Sequence, residues 1–166
     1  MKLFRHGVSG KEKPGICLAN GDHIDISAFG EDFDEAFFES DGLNRLSKWC
    51  EDHLKDCPKI ESVNRFGQAI KRPSKIICIG LNYSDHAIET KATVPPEPVL
   101  FFKSTTALCG PNDPVVIPKT SQKTDWEVEL AVVISKKASY VEERDSMEHV
   151  AGFVLHNDYS ERAFQI

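Results

Sequence analysis

The chain has 166 residues, 40% of them apolar and 28% charged, with a formal net charge of −6. That balance fits one folded domain, or a small domain plus part of a larger one, and argues against a disordered chain. The acidic balance, scattered rather than blocked, argues against nucleic acid or an anionic membrane as partner.

The first stretch reads as a small β-rich unit. KLFRHG is a short strand, and GICLANGDHIDIS is a hairpin turning at Asn20-Gly21. EDFDEAFFES is a short helix that turns Phe33, Phe37 and Phe38 inward. In GLNRLSKWCEDHL, Leu43, Leu46, Trp49, Cys50 and Leu54 recur at helical spacing. Arg72-Pro73 marks a boundary, because the residue before proline is biased away from helix.

Beyond it, KIICIGL reads as a buried strand, NYSDHAIET as a turn opening a helix or a mobile loop, and TVPPEP as extended. VLFFKS, PVVIP, WEVELAVVI and HVAGFVLHND read as strands, with a turn over 109–113. YVEERDSMEHV reads as a short helix, and SERAFQI as the first turns of another. The expected fold class is mainly β with few helices (α+β): a small domain over 1–70, then the first part of a larger domain over 71–166. A chain stopping on a half-built element is expected to be the N-terminal portion of something longer.

The five cysteines, Cys17, Cys50, Cys57, Cys78 and Cys109, form no CxxC pair. Free thiols in a reducing compartment are the expectation, not a zinc site. MKLFRHG lacks the apolar run of a signal peptide, and no stretch has the roughly 20 apolar residues that span a bilayer. The chain is therefore expected in the cytoplasm.

DWEVELAVVI carries the most informative chemistry. Alternation puts Trp126, Val128, Leu130 and Val132 on one face and Glu127, Glu129, Ala131 and Val133 on the other. Both faces carry apolar residues, so the strand is expected to be covered on both sides for part of its length. The two glutamates either lie at a solvated strand end or are partly desolvated. In the second case one must protonate or a cation must sit between them. A hard divalent cation with oxygen ligands suits the pair, and Asp158, ending HVAGFVLHND, is a candidate third carboxylate. His156 shares its face and reads more simply as a core or rim histidine. In NYSDHAIE, helical spacing would make His86 and Glu89 neighbours. They are either a surface pair or an imidazole that a carboxylate makes more basic.

GLNYSDHAIE, VLFFKSTTAL, DWEVELAVVISKKA and AGFVLHNDYSERAFQ, in this order and spacing, resemble the fumarylacetoacetate hydrolase family over roughly residues 71 to 166. The opening MKLFRHG…KEKPGICL is similar to the small N-terminal domain of a bacterial subgroup. That subgroup includes 2,4-diketo sugar-acid hydrolases and proteins labelled ureidoglycolate lyase.

The resemblance implies a mixed β-roll around an Mg²⁺ or Mn²⁺ site, with Ca²⁺ a further candidate, and a homodimer. It implies Glu127, Glu129 and Asp158 as metal ligands and His86 with Glu89 as the water-activating pair. Lys103, Arg162 and Gln165 match polar positions that would contact substrate. The implied reaction is C–C bond hydrolysis of a small 2,4-diketo, acylpyruvate-like acid through a metal-bound enolate. Keto–enol isomerisation, decarboxylation and ureidoglycolate-lyase-type chemistry on a 2-oxo or 2-hydroxy acid are alternatives, as is a non-catalytic truncated metal-binding module. The family's domain continues past Ile166 with further strands and a substrate-binding lysine.

Overall fold

A computed structural model describes residues 1–165. It is a mixed α/β chain, mostly sheet with few helices. The strands are β1 (Lys2–His6), β2 (Lys13–Cys17), β3 (His23–Asp25), β4 (Lys59–Ile60), β5 (Ile76–Gly80), β6 (Val99–Lys103), β7 (Thr124–Asp125), β8 (Val128–Ile134), β9 (Val150–Asn157) and β10 (Ser160–Glu161). The α-helices are α1 (Glu35–Glu39), α2 (Gly42–His53) and α3 (Ser84–Glu89). The chain divides into two compact units, residues 1–71 with 110–166 and residues 72–109. No helix among the described residues is long and apolar enough to cross a membrane.

In the larger unit β1-β2-β3-β4 form an antiparallel sheet. The β2–β3 hairpin turns where expected, with Gly21 at φ 90°, a conformation that costs glycine no steric strain. The Asp34 carboxylate accepts from the Phe37 N–H at 3.1 Å and caps α1. The expected inward residues are the core: Phe33, Phe37, Phe38 and Leu46 are buried with Ile16, Ile24 and Ile26. Leu43, Trp49, Cys50 and Leu54 pack against them from α2, as their spacing requires.

The corner between α1 and α2 is tight. Asp41 sits at φ 60°, and a Cβ on Gly42 would lie 2.3 Å from the Phe37 carbonyl oxygen. Backbone cannot yield as a flexible side chain can. Gly42→Ala is therefore expected to destabilise by roughly 1–3 kcal/mol, although alanine is the better helix former. Urea denaturation followed by far-ultraviolet circular dichroism checks this, and a gain in stability would refute the close approach.

A chain of charges ties β1 to two later segments. Arg5, only 3% exposed, donates to both Asp32 oxygens at 2.7 and 2.9 Å, and its Nη2 lies 3.6 Å from Glu12. Glu12 in turn accepts from Arg65 at 2.9 Å, and Arg65 donates to both oxygens of Asp113 at 2.7 and 2.6 Å. Backbone bonds run alongside: Gly67 N–H to Arg5 O at 2.8 Å and Gly7 N–H to Arg65 O at 3.1 Å. Residues 65–67 and the 110–113 turn are thus fastened to the N-terminal sheet.

Several expectations fail. PVVIP forms no strand: residues 114–118 have no ladder partner, and the prolines at both ends remove backbone donors. SERAFQI does not start a helix. Ser160 and Glu161 pair with Asp125 and Thr124 as β10, and a single turn follows, closed by Phe164 N–H to Glu161 O at 3.0 Å. Ile166 lies outside the described residues. YVEERDSMEHV contains a short helix, but of 3-10 type over Glu143–His149.

The 72–109 unit holds an antiparallel β5–β6 ribbon and α3. KIICIGL is a strand there, but not a buried one, since Ile77 and Ile79 are both exposed. β8 is likewise covered on one side only. Val133, with Ala151 of β9, packs against the core, whereas Val128, Leu130, Val132 and Ile134 are exposed.

Candidate metal centre

The candidate site is built by the β8–β9 hairpin. Its register pairs Glu129 with His156 and Val128 with Asn157. The pairing carries on one step beyond the ladder: Asp158 N–H donates to the Glu127 carbonyl at 2.9 Å. Glu127 N–H is taken by the Asn157 side-chain oxygen at 3.1 Å. Glu127 thus faces Asp158 across the hairpin, and Glu129 faces His156. Period-2 alternation then places Glu127, Glu129, His156 and Asp158 on one face at one end of the ribbon. Exposure alternates in step, because Glu127 and Glu129 are partly covered while Trp126, Val128 and Leu130 are exposed. Asp158 is 4% exposed.

A cation already answers part of this charge. Arg162 Nη1 lies 2.5 Å from Glu127 Oε1, and Nη2 lies 3.1 Å from Asp125 Oδ2. Arg162 also donates to Gln165 Oε1 at 3.0 Å and, from its backbone N–H, to Lys123 O at 2.9 Å. The Trp126 N–H and the Arg162 guanidinium hold the Asp125 carboxyl below its usual range. Burial opposes charge on Arg162, but bonds to Asp125 and Glu127 outweigh it and raise its pKa. Glu161 braces the same corner, accepting from Ser121, from Thr124 at 3.1 Å and from the Lys123 N–H at 3.1 Å.

Among the described residues, no three metal-capable side chains are gathered closely enough to hold an ion as they stand. Glu127 is turned to Arg162 instead. The donor types suit a hard divalent cation: three carboxylates at one end of the β8–β9 hairpin, Glu129 within β8 and Glu127 and Asp158 just beyond the ladder, the last of them buried.

The remaining sequence-derived residues lie in the 72–109 unit. His86 and Glu89 stand on α3, both exposed, and no hydrogen bond joins them among the described residues. Lys103 ends β6, opposite Ile76. Sequence reasoning missed Asp125 and the Arg162–Glu127 pair. The available signal was Asp125 two positions before Glu127, continuing the same alternation.

The sequence model described as fumarylacetoacetate hydrolase C-terminal matches residues 75–166. A Burkholderia ambifaria protein with a provisional hydrolase name is 48% identical over all 166 residues, and the chain spans 58% of its length. The fumarylacetoacetate hydrolase of psychrophilic Exiguobacterium antarcticum is 27% identical with a TM-score of 0.78, over 99% of this chain and 58% of that one. A Mycobacterium abscessus protein provisionally assigned as a 2-hydroxyhepta-2,4-diene-1,7-dioate isomerase is 29% identical, with a TM-score of 0.73, over 98% of this chain and 53% of that one. Maleylpyruvate hydrolase of Sphingobium sp. SYK-6, solved with manganese(II) and pyruvate, shares the fold at 24% identity and a TM-score of 0.77, over 98% and 60% of the two chains. With its family-specific region matched over more than half its length, the chain belongs to the fumarylacetoacetate hydrolase family.

Proposed function

We propose that this chain provides the metal-ligand set and the general base of an Mg²⁺- or Mn²⁺-dependent enzyme that hydrolyses a C–C bond in a small acylpyruvate-like 2,4-diketo acid. The observation that carries this reading is the placement of Glu127, Glu129 and Asp158 on one face at one end of the β8–β9 hairpin. The manganese and pyruvate held by the maleylpyruvate hydrolase of the same fold support both the ion and the 2-oxo acid class.

Glu127, Glu129 and Asp158 would hold the ion. When bound, it supplies a Lewis acid and template for the substrate's 2-oxo carboxylate. An imidazole nitrogen of His86 is proposed to take a proton from water, with the Glu89 carboxylate, one turn on along α3, swinging in to orient the ring. The water oxygen adds to the distal carbonyl, the C–C bond breaks, and the electron pair leaves as a pyruvate-type enolate that is then protonated. Arg162, Gln165 and Lys103 are the side chains proposed to meet substrate oxygens. The working assembly is proposed as a homodimer in the cytoplasm.

A second reading, keto–enol isomerisation at the same site, is favoured by the similarity to the Mycobacterium abscessus isomerase. It needs the enolate but no C–C cleavage.

The test is product analysis with Mg²⁺ and Mn²⁺ on acylpyruvates, oxaloacetate and diketo sugar acids. His86→Ala is expected to keep the Mn²⁺ affinity and lose roughly 10²–10⁴-fold in hydrolysis rate. Undiminished hydrolysis would move the base elsewhere, and isomerised substrate without cleavage would favour the second reading.

A further inference from the structure

Arg162 reaches Glu127 and Asp125 from just beyond β10, and the ladder that brings it there is short. Only Ser160 with Asp125 and Glu161 with Thr124 pair between β10 and β7. So small a two-stranded ladder is marginal by itself. One side chain fastens it. The Glu161 carboxylate accepts on Oε2 from the Ser121 hydroxyl and from the Thr124 hydroxyl at 3.1 Å. On Oε1 it accepts from the Lys123 N–H and the Ala163 N–H, each at 3.1 Å. An ionised carboxylate has about four acceptor positions, and these donors fill them. The Ser121 hydroxyl foremost, against a smaller cost of burial, holds this carboxyl below its usual range, so it is charged at neutral pH.

The placement of the donors matters more than their number. Ser121, Lys123 and Thr124 lie on the segment that leads into Asp125 and Glu127. Ala163 lies on the far side of Arg162, so the backbone of Arg162 is enclosed between Glu161 and a residue that Glu161 binds. Its own N–H then meets the Lys123 carbonyl at 2.9 Å. From that fixed backbone the guanidinium sends Nε and Nη2 to Asp125 Oδ2, both at 3.1 Å, and Nη1 to Glu127. An arginine side chain loses much rotamer freedom when it is held in one geometry. Fixing its backbone removes part of the search and favours the aimed state.

We infer that Glu161 is a positioning residue: by clamping residues 121–124 to β10 it aims the Arg162 guanidinium at Glu127 and Asp125. Through Arg162 it sets how strongly Glu127 is contested when an ion binds. That consequence for the ion rests on the function proposed above, whereas the aiming of Arg162 does not.

The experiment reads the two parts separately on the 166-residue chain. In a proton–nitrogen correlation spectrum the Arg162 Nε–H, assigned by its absence in Arg162→Gln, is expected as a discrete, slowly exchanging signal. Glu161→Ala should merge it with the mobile arginines while leaving the circular dichroism unchanged. Glu161→Gln should keep it, because the amide can still accept on one atom and donate to the two hydroxyls with the other. Ser121→Ala combined with Thr124→Val strips the clamp from its other side, leaves Glu161 in place, and should broaden the same signal. Calorimetric titration with Mn²⁺ reads the second part. Glu161→Ala should tighten binding by roughly 2–5-fold, towards the gain from Arg162→Gln, and should add nothing in the Arg162→Gln background.

An Arg162 signal that survives both Glu161→Ala and the double substitution would overturn the clamp. So would its loss in Glu161→Gln, which would make charge rather than bonding the cause. Weaker Mn²⁺ binding in Glu161→Ala, or an equal change with and without Arg162, would overturn the coupling to Glu127. A wild-type chain with the protected signal and no Mn²⁺ affinity would sink the proposed metal function alone, since the signal still decides the clamp.

Discussion

Arg5→Ala is expected to lower stability by about 3–5 kcal/mol, which for a chain of this size moves the melting temperature down by roughly 10 °C. The cost comes from what the substitution leaves behind. Asp32 loses both of its guanidinium bonds, and Glu12, whose side chain is 2% exposed, loses one of its two cations. An uncompensated buried carboxylate is worse than no ion pair at all. Arg5→Met combined with Asp32→Asn should therefore recover much of the loss, because Glu12 keeps Arg65.

The pH dependence gives a second check. Burial pushes Asp32 up, but Arg5 and the Phe33 N–H hold it below the ordinary carboxyl range. Burial likewise raises Glu12, and bonds from Arg65 and the Gly10 N–H, with the charge of Arg5, bring it below. A depressed carboxyl pKa means that the unfolded chain binds more protons. Stability is then fully present above the unfolded value, near 4, and is lost as pH falls through the folded one. The gap between wild type and Arg5→Ala should be widest at about pH 6–7 and shrink below about pH 4. A gap that stayed constant would mean that lost packing, not stranded charge, is the cause.

None of this ion chain was legible in the sequence. Arg5 and Asp32 are 27 positions apart, Glu12 and Arg65 53, and Arg65 and Asp113 48, with no periodicity to connect them. The helices were legible, because Leu43, Leu46, Trp49 and the phenylalanines of EDFDEAFFES repeat on a period that burial enforces. The turn at Gly21 was legible for a local reason too. Strand identity was less so. PVVIP has strong β-propensity, but a strand exists only through its partner, and residues 114–118 have none. At the candidate site, alternation correctly put Glu127 and Glu129 on one face. It could not show that the same chain supplies its own cation, since Arg162 reaches Glu127 only because β10 turns the chain back along residues 123–125.

Removing Glu129 and removing Arg162 are expected to move Mn²⁺ affinity in opposite directions. A unit charge about 4 Å from a cation, at an effective dielectric near 20, is worth about 4 kcal/mol, on the order of 10²–10³ in affinity. Glu129→Ala should weaken Mn²⁺ binding by roughly that factor. Arg162 acts the other way, because its guanidinium occupies Glu127 Oε1 at 2.5 Å and must yield when an ion takes that oxygen. A partly exposed pair of this kind is worth about 1 kcal/mol, so Arg162→Gln should tighten binding by roughly 5-fold. Asp125 makes the competition mild, since it keeps Arg162 anchored at 3.1 Å after Glu127 turns away. Calorimetric titration with Mn²⁺, or the loss of the free-ion paramagnetic resonance signal, reads both effects without any substrate. Unchanged affinity in Glu129→Ala would remove the carboxylate face as the metal centre. Weaker binding in Arg162→Gln would show that the arginine props the ligands in place rather than competing for one of them.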